Sequence, residues 1–189
     1  MKQILYLGTN PAHYPETVVH FPLIEIKPRP LLQHQMDDWP LFTHVLLSSQ
    51  NAIPLIPGSL EGKVVIAVGK VTAENLSGAI VAPFAQQEGM IAALRLMNLD
   101  HAYVACIGSS GARGALLDFL QRRNVRHQLI ILYDVVEKEG ELPDLKTFDE
   151  IVFTSPSTVD AFFKRGKVTT QKVKAIGNVT KERLRTLMS

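Results

Sequence analysis

The stretch VLLSSQNA at residues 45–52 has a counterpart in IVFTSPST at residues 151–158. Each stretch contains three apolar residues, then two hydroxyl residues, then a polar helix start. An apolar run that ends in hydroxyl residues is typical of a buried strand leading into a helix, because serine and threonine accept hydrogen bonds from the free N–H groups of the first helical turn. The pattern therefore predicts two copies of a strand followed by a helix.

A second match follows each stretch at a similar distance. VIAVGKVTAENL at residues 65–76 aligns with VKAIGNVTKERL at residues 173–184. Ser49 precedes Gly69 by 20 residues, and Ser155 precedes Gly177 by 22. Because such parallel spacing is hard to obtain by chance, we infer an internal repeat. The hydroxyl residues that we expect at helix N-caps in this repeat are Ser49, Ser155, Ser157, Thr72 and Thr180.

Short β-branched runs alternate with stretches of helical character along the whole chain. Helices are predicted over residues 86–97 and 111–124 from their apolar stripes. Most strand candidates are apolar on both faces, which together with the strand–helix–strand order predicts an α/β fold, with parallel sheets covered by helices on both sides. The strand candidates are Gln3–Leu7, Phe21–Ile26, Thr43–Leu47, Lys63–Val68, Ala79–Ala82, Ala102–Ile107, His127–Leu132, Glu150–Thr154 and Val173–Ile176.

Two stretches interrupt this alternation. Lys27-Pro28-Arg29-Pro30 fits neither a helix nor a central strand, because proline lacks an N–H donor and restricts the residue before it. The charged stretch Glu137–Asp144 contains a glycine and a proline, which is typical of a solvated connection. We expect two small lobes. Residues 1–20 plus 142–189 form an outer discontinuous lobe, residues 36–127 an inserted lobe, and residues 21–35 and 128–141 the connecting segments.

The composition excludes several classes of protein. Among 189 residues, 20 Lys and Arg against 18 Asp and Glu leave a net charge of +2, and the basic residues are scattered, which disfavours nucleic-acid binding. Apolar runs such as Ile130–Leu132 are strand-sized, so no membrane span is expected. The N-terminus has the pattern of a strand rather than a secretory signal, which predicts a cytoplasmic location. With one cysteine, Cys106, and no zinc-ligand spacing among six histidines, we expect neither a disulfide nor a metal site.

The repeat places small and hydroxyl residues where parallel strands end. This carboxyl edge is where open parallel sheets bind ligands, and helix N-termini there offer free N–H donors to anions. For any single residue, a helix cap with no further role is an equally good interpretation. The paired arrangement favours two donor-lined edges that face one cleft.

Six segments occur in the order and spacing of one known family, and together they cover the chain from its first strands to near its C-terminus. On these segments the chain resembles the uroporphyrinogen-III synthase family. The resemblance implies two flavodoxin-like α/β lobes joined by a two-stranded connector made of Phe21–Ile26 and Leu129–Tyr133. The segments are FPLIEI at residues 21–26, residues 45–52, AVGKVTA at residues 67–73, the strand ending in Tyr133, FTSPS at residues 153–157, and AIGNVT at residues 175–180.

The resemblance also implies a reaction. The linear tetrapyrrole hydroxymethylbilane loses water from its hydroxymethyl end and closes to uroporphyrinogen III with its last pyrrole ring inverted, through a spiro intermediate. It implies no metal and no cofactor, and it leaves room for a transient contact with the upstream deaminase. An alternative from another class is a non-catalytic two-lobe binding or regulatory protein that keeps the tetrapyrrole site.

Tyr133 corresponds to the family tyrosine considered a candidate acid for the departing hydroxide, since a phenol can donate a proton while neutral at cytosolic pH. The alternative is a half-buried aromatic residue with a hydrated hydroxyl. The substrate carries many carboxylates, which backbone N–H groups and hydroxyls could bind without a large positive charge. The expected substrate-binding residues are Ser49, Gly69, Lys70, Thr72, Arg113, Ser155, Ser157, Gly177, Asn178 and Thr180.

Three departures from the family pattern stand out. Gly8-Thr9-Asn10-Pro11 follows the first strand where the family usually has an Arg-Pro pair, which removes one guanidinium. Arg113 could occupy the family position of an arginine at a helix start, and an ordinary solvated helix residue is an equally good interpretation. The chain stops at Ser189, where the family normally continues with another strand and helix. We therefore expect a reduced outer lobe.

Overall fold

A computed structural model describes residues 2–84, 86–110 and 114–188. The chain divides into two compact units. Unit 1 comprises Met1–Ile26 and Val135–Ser189, and unit 2 comprises Lys27–Asp134. One unit thus occupies the middle of the chain, and the other is built from its two ends.

The described residues form ten strands and six α-helices. Short 3-10 helices cover Trp39–Leu41, Gln50–Leu55 and Leu145–Thr147. The strands are β1 (Ile4–Tyr6), β2 (Val19–His20), β3 (Ile24–Pro28), β4 (His44–Leu47), β5 (Val64–Ala67), β6 (Ile80–Val81), β7 (Tyr103–Ser109), β8 (Arg126–Glu137), β9 (Glu150–Phe153) and β10 (Lys172–Ala175). The α-helices are α1 (Gln33–Asp38), α2 (Lys70–Glu74), α3 (Gln87–Arg95), α4 (Ala115–Arg122), α5 (Pro156–Phe163) and α6 (Asn178–Met188).

Unit 1 contains a four-stranded sheet in the order β10-β9-β1-β2, and all of its strand pairs are parallel. One face of the sheet forms the core with α5 and α6, where Phe153 and Phe162 are fully buried beside Leu184. The opposite face packs against Tyr14 and Val18. The apolar character of both faces therefore reflects burial on both sides, as expected of parallel strands.

Unit 2 contains most of a six-stranded sheet in the order β3-β8-β7-β4-β5-β6. The pairs that β4 forms with β5 and β7, and those of β5 with β6 and β7 with β8, are parallel. A core of Leu46, Val104 and Cys106 from the sheet packs against Met90 of α3 and Leu120 of α4. This architecture confirms the predicted α/β class with parallel sheets flanked by helices.

The sequence repeat coincides with a structural repeat. In unit 2, β4 pairs with β5 and places Leu47 opposite Ala67. In unit 1, β9 pairs with β10 and places Phe153 opposite Ala175, the same two positions of the repeat. The two copies differ in the helix after the first strand: residues 50–55 form a 3-10 helix that contains Pro54, whereas α5 has its proline at the start. Proline is compatible with a first turn but not with the interior of an α-helix, which explains the difference.

Most expected elements are present, with shifted ends. The strand β2 was not expected, because it has only two residues and both are exposed. The strand β8 continues five residues beyond the predicted end at Leu132. Pro28 ends β3, which lies at an edge of its sheet, where the missing N–H donor costs no ladder bond. The predicted division into outer lobe, inserted lobe and connecting segments stays a prediction.

The strand β10 is an edge strand of the unit 1 sheet. Lys172, Val173 and Lys174 are all exposed there. The Nζ of Lys174 lies 4.7 Å from the centre of the Tyr14 ring.

In the part of the chain that the structure describes, no helix is both long and apolar enough to cross a bilayer.

Candidate active site

The carboxyl edge of the unit 2 sheet brings together the ends of neighbouring strands. The strand β4 ends at Leu47, directly before Ser48 and Ser49, and β7 ends at Ser109 beside Tyr133 of β8. In a parallel sheet these ends lie on one side. The edge thus holds two of the residues expected at the site, Ser49 and Tyr133.

A β-bulge between β7 and β8 sets the direction of Tyr133. Gly108 pairs with Ile131, whereas Ser109 pairs with Tyr133, so Leu132 is the extra residue. Successive side chains of a strand point to opposite faces, and one extra residue therefore turns Tyr133 away from the face of Ile131. It now shares a face with Ile107, which pairs with Leu47. Bulges re-aim side chains in this way near many active sites.

Tyr133 is 3% exposed. Burial raises the pKa of Tyr133 above its ordinary value, while interaction of the phenol with the Ser49 side chain acts in the opposite direction. The Oγ of Ser49 also accepts a hydrogen bond from the N–H of Asn51 at 3.2 Å, as the N-cap of the 3-10 helix. One expectation is corrected here, because Tyr133 lies inside β8 rather than at a strand end. It is also buried, unlike the half-buried aromatic residue of the alternative interpretation.

Two charged residues beside Tyr133 were not expected at the site. The Nε of Arg29 donates to Oδ2 of Asp134 at 2.7 Å, and both side chains are partly exposed. Hydrogen bonds from Ser110 and then Arg29 lower the pKa of the Asp134 carboxyl. The N–H of Ser110 in turn donates to the carbonyl of Tyr133 at 3.3 Å. No sequence pattern indicates this group, because Arg29 and Asp134 are 105 residues apart.

Gly69 begins α2 at the same edge. It is the N-cap, with φ +79°, and no side chain caps the helix. A Cβ at this position would meet no atom within 4 Å, so the space in front of the backbone is open. Lys70 follows and is exposed, whereas Thr72 is only 6% exposed.

At the corresponding edge of unit 1, Ser155 is the N-cap of α5 and forms a capping box with Thr158. The Oγ of Ser155 accepts from the N–H of Thr158, and Oγ1 of Thr158 accepts from the N–H of Ser155 at 3.2 Å. We had expected this N–H to be free for a substrate carboxylate. It is already satisfied within the protein, since the capping box uses it.

Ser157, in the first turn of α5, lines an open cavity of about 460 Å³ within unit 1. Asp160 and Arg183 lie on the same wall, and the Nε of Arg183 donates to Oδ1 of Asp160 at 2.6 Å. Lys164 and Glu137 also line the cavity and form an ion pair with each other. The charges around Ser157 are thus paired among themselves.

Gly177 precedes α6 with φ +86°, and it too has open space where a Cβ would stand. Asn178, the first residue of the helix, is exposed, and Thr180 is 3% exposed. Glycine has no side chain that could cap a helix, and no side-chain hydrogen bond caps the start of α2.

The two kinds of helix start therefore differ. The serines cap their own helices, which confirms Ser49 and Ser155 as N-caps. Thr72 and Thr180 are third residues of helices that begin at glycines, and Ser157 is the second residue of α5, so the prediction that these three are N-caps is wrong. An N-cap residue directly precedes the first residue of its helix, whereas these three residues lie within the first turn.

Arg113 lies outside the described residues, so its expected role stays a prediction. Within residues 2–84, 86–110 and 114–188, no group of three or more His, Cys, Asp or Glu side chains is arranged to hold a metal ion.

Comparisons with known proteins give a consistent result. The model of the family HEM4, described as uroporphyrinogen-III synthase HemD, matches residues 14–188. The fold is similar to the crystal structure of uroporphyrinogen-III synthetase from Helicobacter pylori, with a TM-score of 0.66 and 18% identity over 100% of this chain and 90% of that one. No curated protein matches the chain.

Two structures of uroporphyrinogen III synthase from the extremely thermophilic bacterium Thermus thermophilus are also similar. The comparison with the wild-type structure gives a TM-score of 0.52 and 17% sequence identity, and it covers 89% of that chain. The comparison with a triple mutant gives a TM-score of 0.61 and 15% sequence identity, and it covers 90% of that chain. Both comparisons cover the whole of this chain. At such identities the likeness concerns the fold, while the family model covers nearly the entire sequence. The chain belongs to the uroporphyrinogen-III synthase family.

Proposed function

We propose that Tyr133 is the acid with which this uroporphyrinogen-III synthase converts hydroxymethylbilane to uroporphyrinogen III in haem biosynthesis. The observation that carries the proposal is the position of Tyr133, which is 3% exposed and which the bulge in β8 turns to the face of Ile107 and Leu47 at the carboxyl edge. A phenol is protonated at neutral pH, and burial raises the pKa of Tyr133 further above its ordinary value. A proton donor must be in this state before the reaction begins.

The proposed step breaks the bond between the hydroxymethyl carbon and its oxygen. The electron pair of that bond leaves with the oxygen, the phenol proton of Tyr133 is transferred to the same oxygen, and water departs. The positive charge that remains on carbon is shared with the pyrrole nitrogen. The phenolate regains its proton when the ring that closes the macrocycle loses one, so the step is balanced without a further reactant. An acid placed in this way accelerates a reaction by about 10²–10⁴-fold.

We propose that the glycine-capped helix starts bind substrate carboxylates. No side chain caps the start of α2 after Gly69, and a Cβ at Gly69 or at Gly177, before α6, would meet no atom within 4 Å. Lys70 adds a cation to the first start and Asn178 an amide to the second. We also propose the remaining predicted contacts, through Ser49, Thr72, Arg113, Ser155, Ser157 and Thr180. The hydroxyls of Ser49 and Ser155 already accept hydrogen bonds as helix caps, and Thr72 and Thr180 are buried.

We propose that the protein acts in the cytoplasm, and that it receives its substrate through a transient contact with the upstream deaminase. With a single cysteine, Cys106, the chain needs no internal disulfide, and it can therefore fold in a reducing compartment such as the cytoplasm. A short-lived contact would limit the spontaneous closure of hydroxymethylbilane in solution.

The test is turnover of hydroxymethylbilane, generated in a coupled assay with the deaminase, with separation of the isomer III and isomer I products. Tyr133→Phe should lower kcat by about 10²-fold or more with little change in KM. Tyr103→Phe is the matched control, because Tyr103 is also buried in unit 2 and its hydroxyl is bound to Asp38 at 2.8 Å. Full turnover by Tyr133→Phe would refute the assignment of the acid.

The wild-type protein decides between enzyme and non-catalytic binder in the same assay. Isomer III formed in excess of the spontaneous reaction supports the enzyme. If no enzyme-dependent isomer III forms, the synthase activity is refuted, and saturable binding of uroporphyrinogen III would then favour the binding protein.

A further inference from the structure

We propose that the edge strand β10, together with the groove between β10 and α6, binds an extended acidic segment of a partner protein, which adds to the unit 1 sheet as a further strand. The inference goes beyond the proposed reaction. None of the residues that form this surface is among those proposed to bind or convert the substrate, so the two proposals can be tested separately.

The hydrogen-bond register leaves the outer side of β10 unpaired. The N–H groups of Lys172 and Ile176 each donate at 2.8 Å to a carbonyl at or beside β9. Because the main-chain groups of every second residue in a ladder point the same way, the N–H and C=O groups of Val173 and Ala175 point away from β9. The strand β10 ends the order of its sheet, so these groups are open to an added strand.

A groove of about 650 Å³ lies between β10 and α6, within unit 1. Its apolar wall consists of Val173 on β10 and of Leu184 and Met188 on α6, and both Val173 and Met188 are exposed. Ala175 packs with Leu184 in the core, so the side chains of Val173 and Ala175 face α6. Apolar side chains of an added strand would point into this groove and cover its wall.

The other face of β10 carries lysines. Lys172 and Lys174 alternate with the apolar residues, and the Nζ of Lys174 lies 4.7 Å from the centre of the Tyr14 ring, on the face opposite α6. It also lies 4.0 Å from Oε1 of Glu16. Lys172 has no ion-pair partner within residues 2–84, 86–110 and 114–188. Acidic side chains on this face of an added strand would pair across the strands with the lysines.

The helix α6 adds two cations on the side of the groove. Lys181 and Arg185 both line it, one helical turn apart. The Nη1 of Arg185 lies 3.1 Å from Oε1 of Glu182, whereas Lys181 has no ion-pair partner in the described part of the chain. With Lys172 and Lys181 both unpaired, the surface has an excess of positive charge.

These features define the chemistry of the partner. An added strand is held by main-chain hydrogen bonds and selected by its alternate side chains. Apolar residues are required toward α6, and acidic residues are required toward the lysines of β10 and at the rim of the groove. The segment that fits is therefore extended and alternates acidic with apolar residues.

The first test is the binding of fluorescently labelled peptides of about eight residues to the full chain, followed by anisotropy. An alternating Glu-Val peptide should bind. A peptide with the same composition in two blocks, and an alternating Lys-Val peptide, should bind at least about tenfold more weakly. Lys172→Gln combined with Lys181→Gln should weaken binding about three- to tenfold. Lys138→Gln changes an exposed lysine outside this surface and should leave binding unchanged.

A second test examines the main-chain pairing. In the complex, the amide hydrogens of Val173 and Ala175 should exchange at least about tenfold more slowly, while those of Lys172 and Lys174, which face β9, change little. Two versions of the Glu-Val peptide are then N-methylated, one at the acidic and one at the apolar residues. Only one version should lose binding, because only every second N–H of the peptide faces β10, and its identity reports whether the added strand is parallel or antiparallel.

Val173→Pro removes an N–H that points away from β9, so it should abolish peptide binding and leave the sheet intact. Equal binding of the acidic and basic peptides, or no binding, would overturn the proposal. Equal effects of the two methylated peptides would also overturn it, because the groove would then take an apolar anion without adding a strand. A dimer of the protein alone that Val173→Pro dissociates would assign the edge to a second copy instead. If Val173→Pro fails to fold, the peptide and exchange measurements still decide, since they use the wild type.

Discussion

The buried thiol of Cys106 makes the stability of unit 2 dependent on pH in the alkaline range. Cys106 lies in the middle of β7, is 4% exposed, and packs in the core with Leu46 and Leu120. Burial raises the pKa of the thiol from 9.0 to about 12. The folded protein therefore keeps the thiol protonated at pH values where the unfolded chain releases the proton.

The magnitude follows from linkage. Below pH 9.0 both states hold the proton, and the thiol contributes no pH dependence. Between pH 9.0 and about 12 the folded state binds more protons than the unfolded state, so the free energy of unfolding falls by about 1.4 kcal/mol for each pH unit. The total loss approaches about 4 kcal/mol, and a loss of about 2 kcal/mol is expected by about pH 10.5. A domain of this size has about 5–15 kcal/mol in all.

The assay is urea unfolding of the wild type and of Cys106→Ala at several pH values between about 8 and 10.5. Cys106→Ala removes a constant packing contribution at every pH, so the difference between the two proteins isolates the thiol. That difference should shrink by about 2 kcal/mol toward the upper end of this pH range, since only the wild type carries the titrating group. Parallel curves for the two proteins would refute the reasoning, because they would show a thiol with an ordinary pKa.

Two further substitutions should lower stability for different physical reasons, one through lost packing and one through backbone strain. Phe162→Ala removes a fully buried ring that stands 5.2 Å from the ring of Phe153, and it should lower the free energy of unfolding by about 3–5 kcal/mol in a urea titration. Gly177→Ala places a Cβ in open space but at φ +86°, so it should cost only about 1–2 kcal/mol of backbone strain. Gly114→Ala, at φ −73°, is the control and should be neutral or slightly stabilising by the same measurement; equal losses for Gly177→Ala and Gly114→Ala would contradict the strain argument.

The repeat made much of the fold predictable. A buried strand with small or hydroxyl residues at its end is a local signal, and in both copies the structure pairs the strands at equivalent positions, Leu47 with Ala67 and Phe153 with Ala175. The glycines were equally informative, since Gly69 and Gly177 both adopt a positive φ at a helix start. Features set by a few neighbouring residues could therefore be predicted.

The face of the sheet to which the Tyr133 side chain points could not be predicted from the sequence. Residues 129–133 are apolar on both faces of the strand, so no alternation of polar and apolar residues marks the place where a bulge shifts the register. The pairing of Arg29 with Asp134 likewise depends on two segments far apart in the chain. Both features arise from tertiary contacts that leave no periodic pattern in the sequence.

The N-cap predictions failed for a different reason. A threonine near a helix start can be an N-cap or a buried third residue of the helix. The local sequences around Thr72 and Thr180 are compatible with both. The preceding glycines decided the matter, because each takes the cap position with its left-handed backbone. At Ser155, by contrast, no glycine competes, and the hydroxyl caps the helix.

The lysines of β10 bear on how the protein behaves at high concentration. An exposed edge strand offers unpaired backbone groups to any other chain, and natural proteins often place lysine there to discourage such pairing. If two copies approached edge to edge, Lys172 and Lys174 of each would meet like charges, and the repulsion would act over about 10 Å at about 0.1 M salt but only about 3 Å at about 1 M. Protection of this edge against aggregation is therefore electrostatic, and it weakens as salt is added.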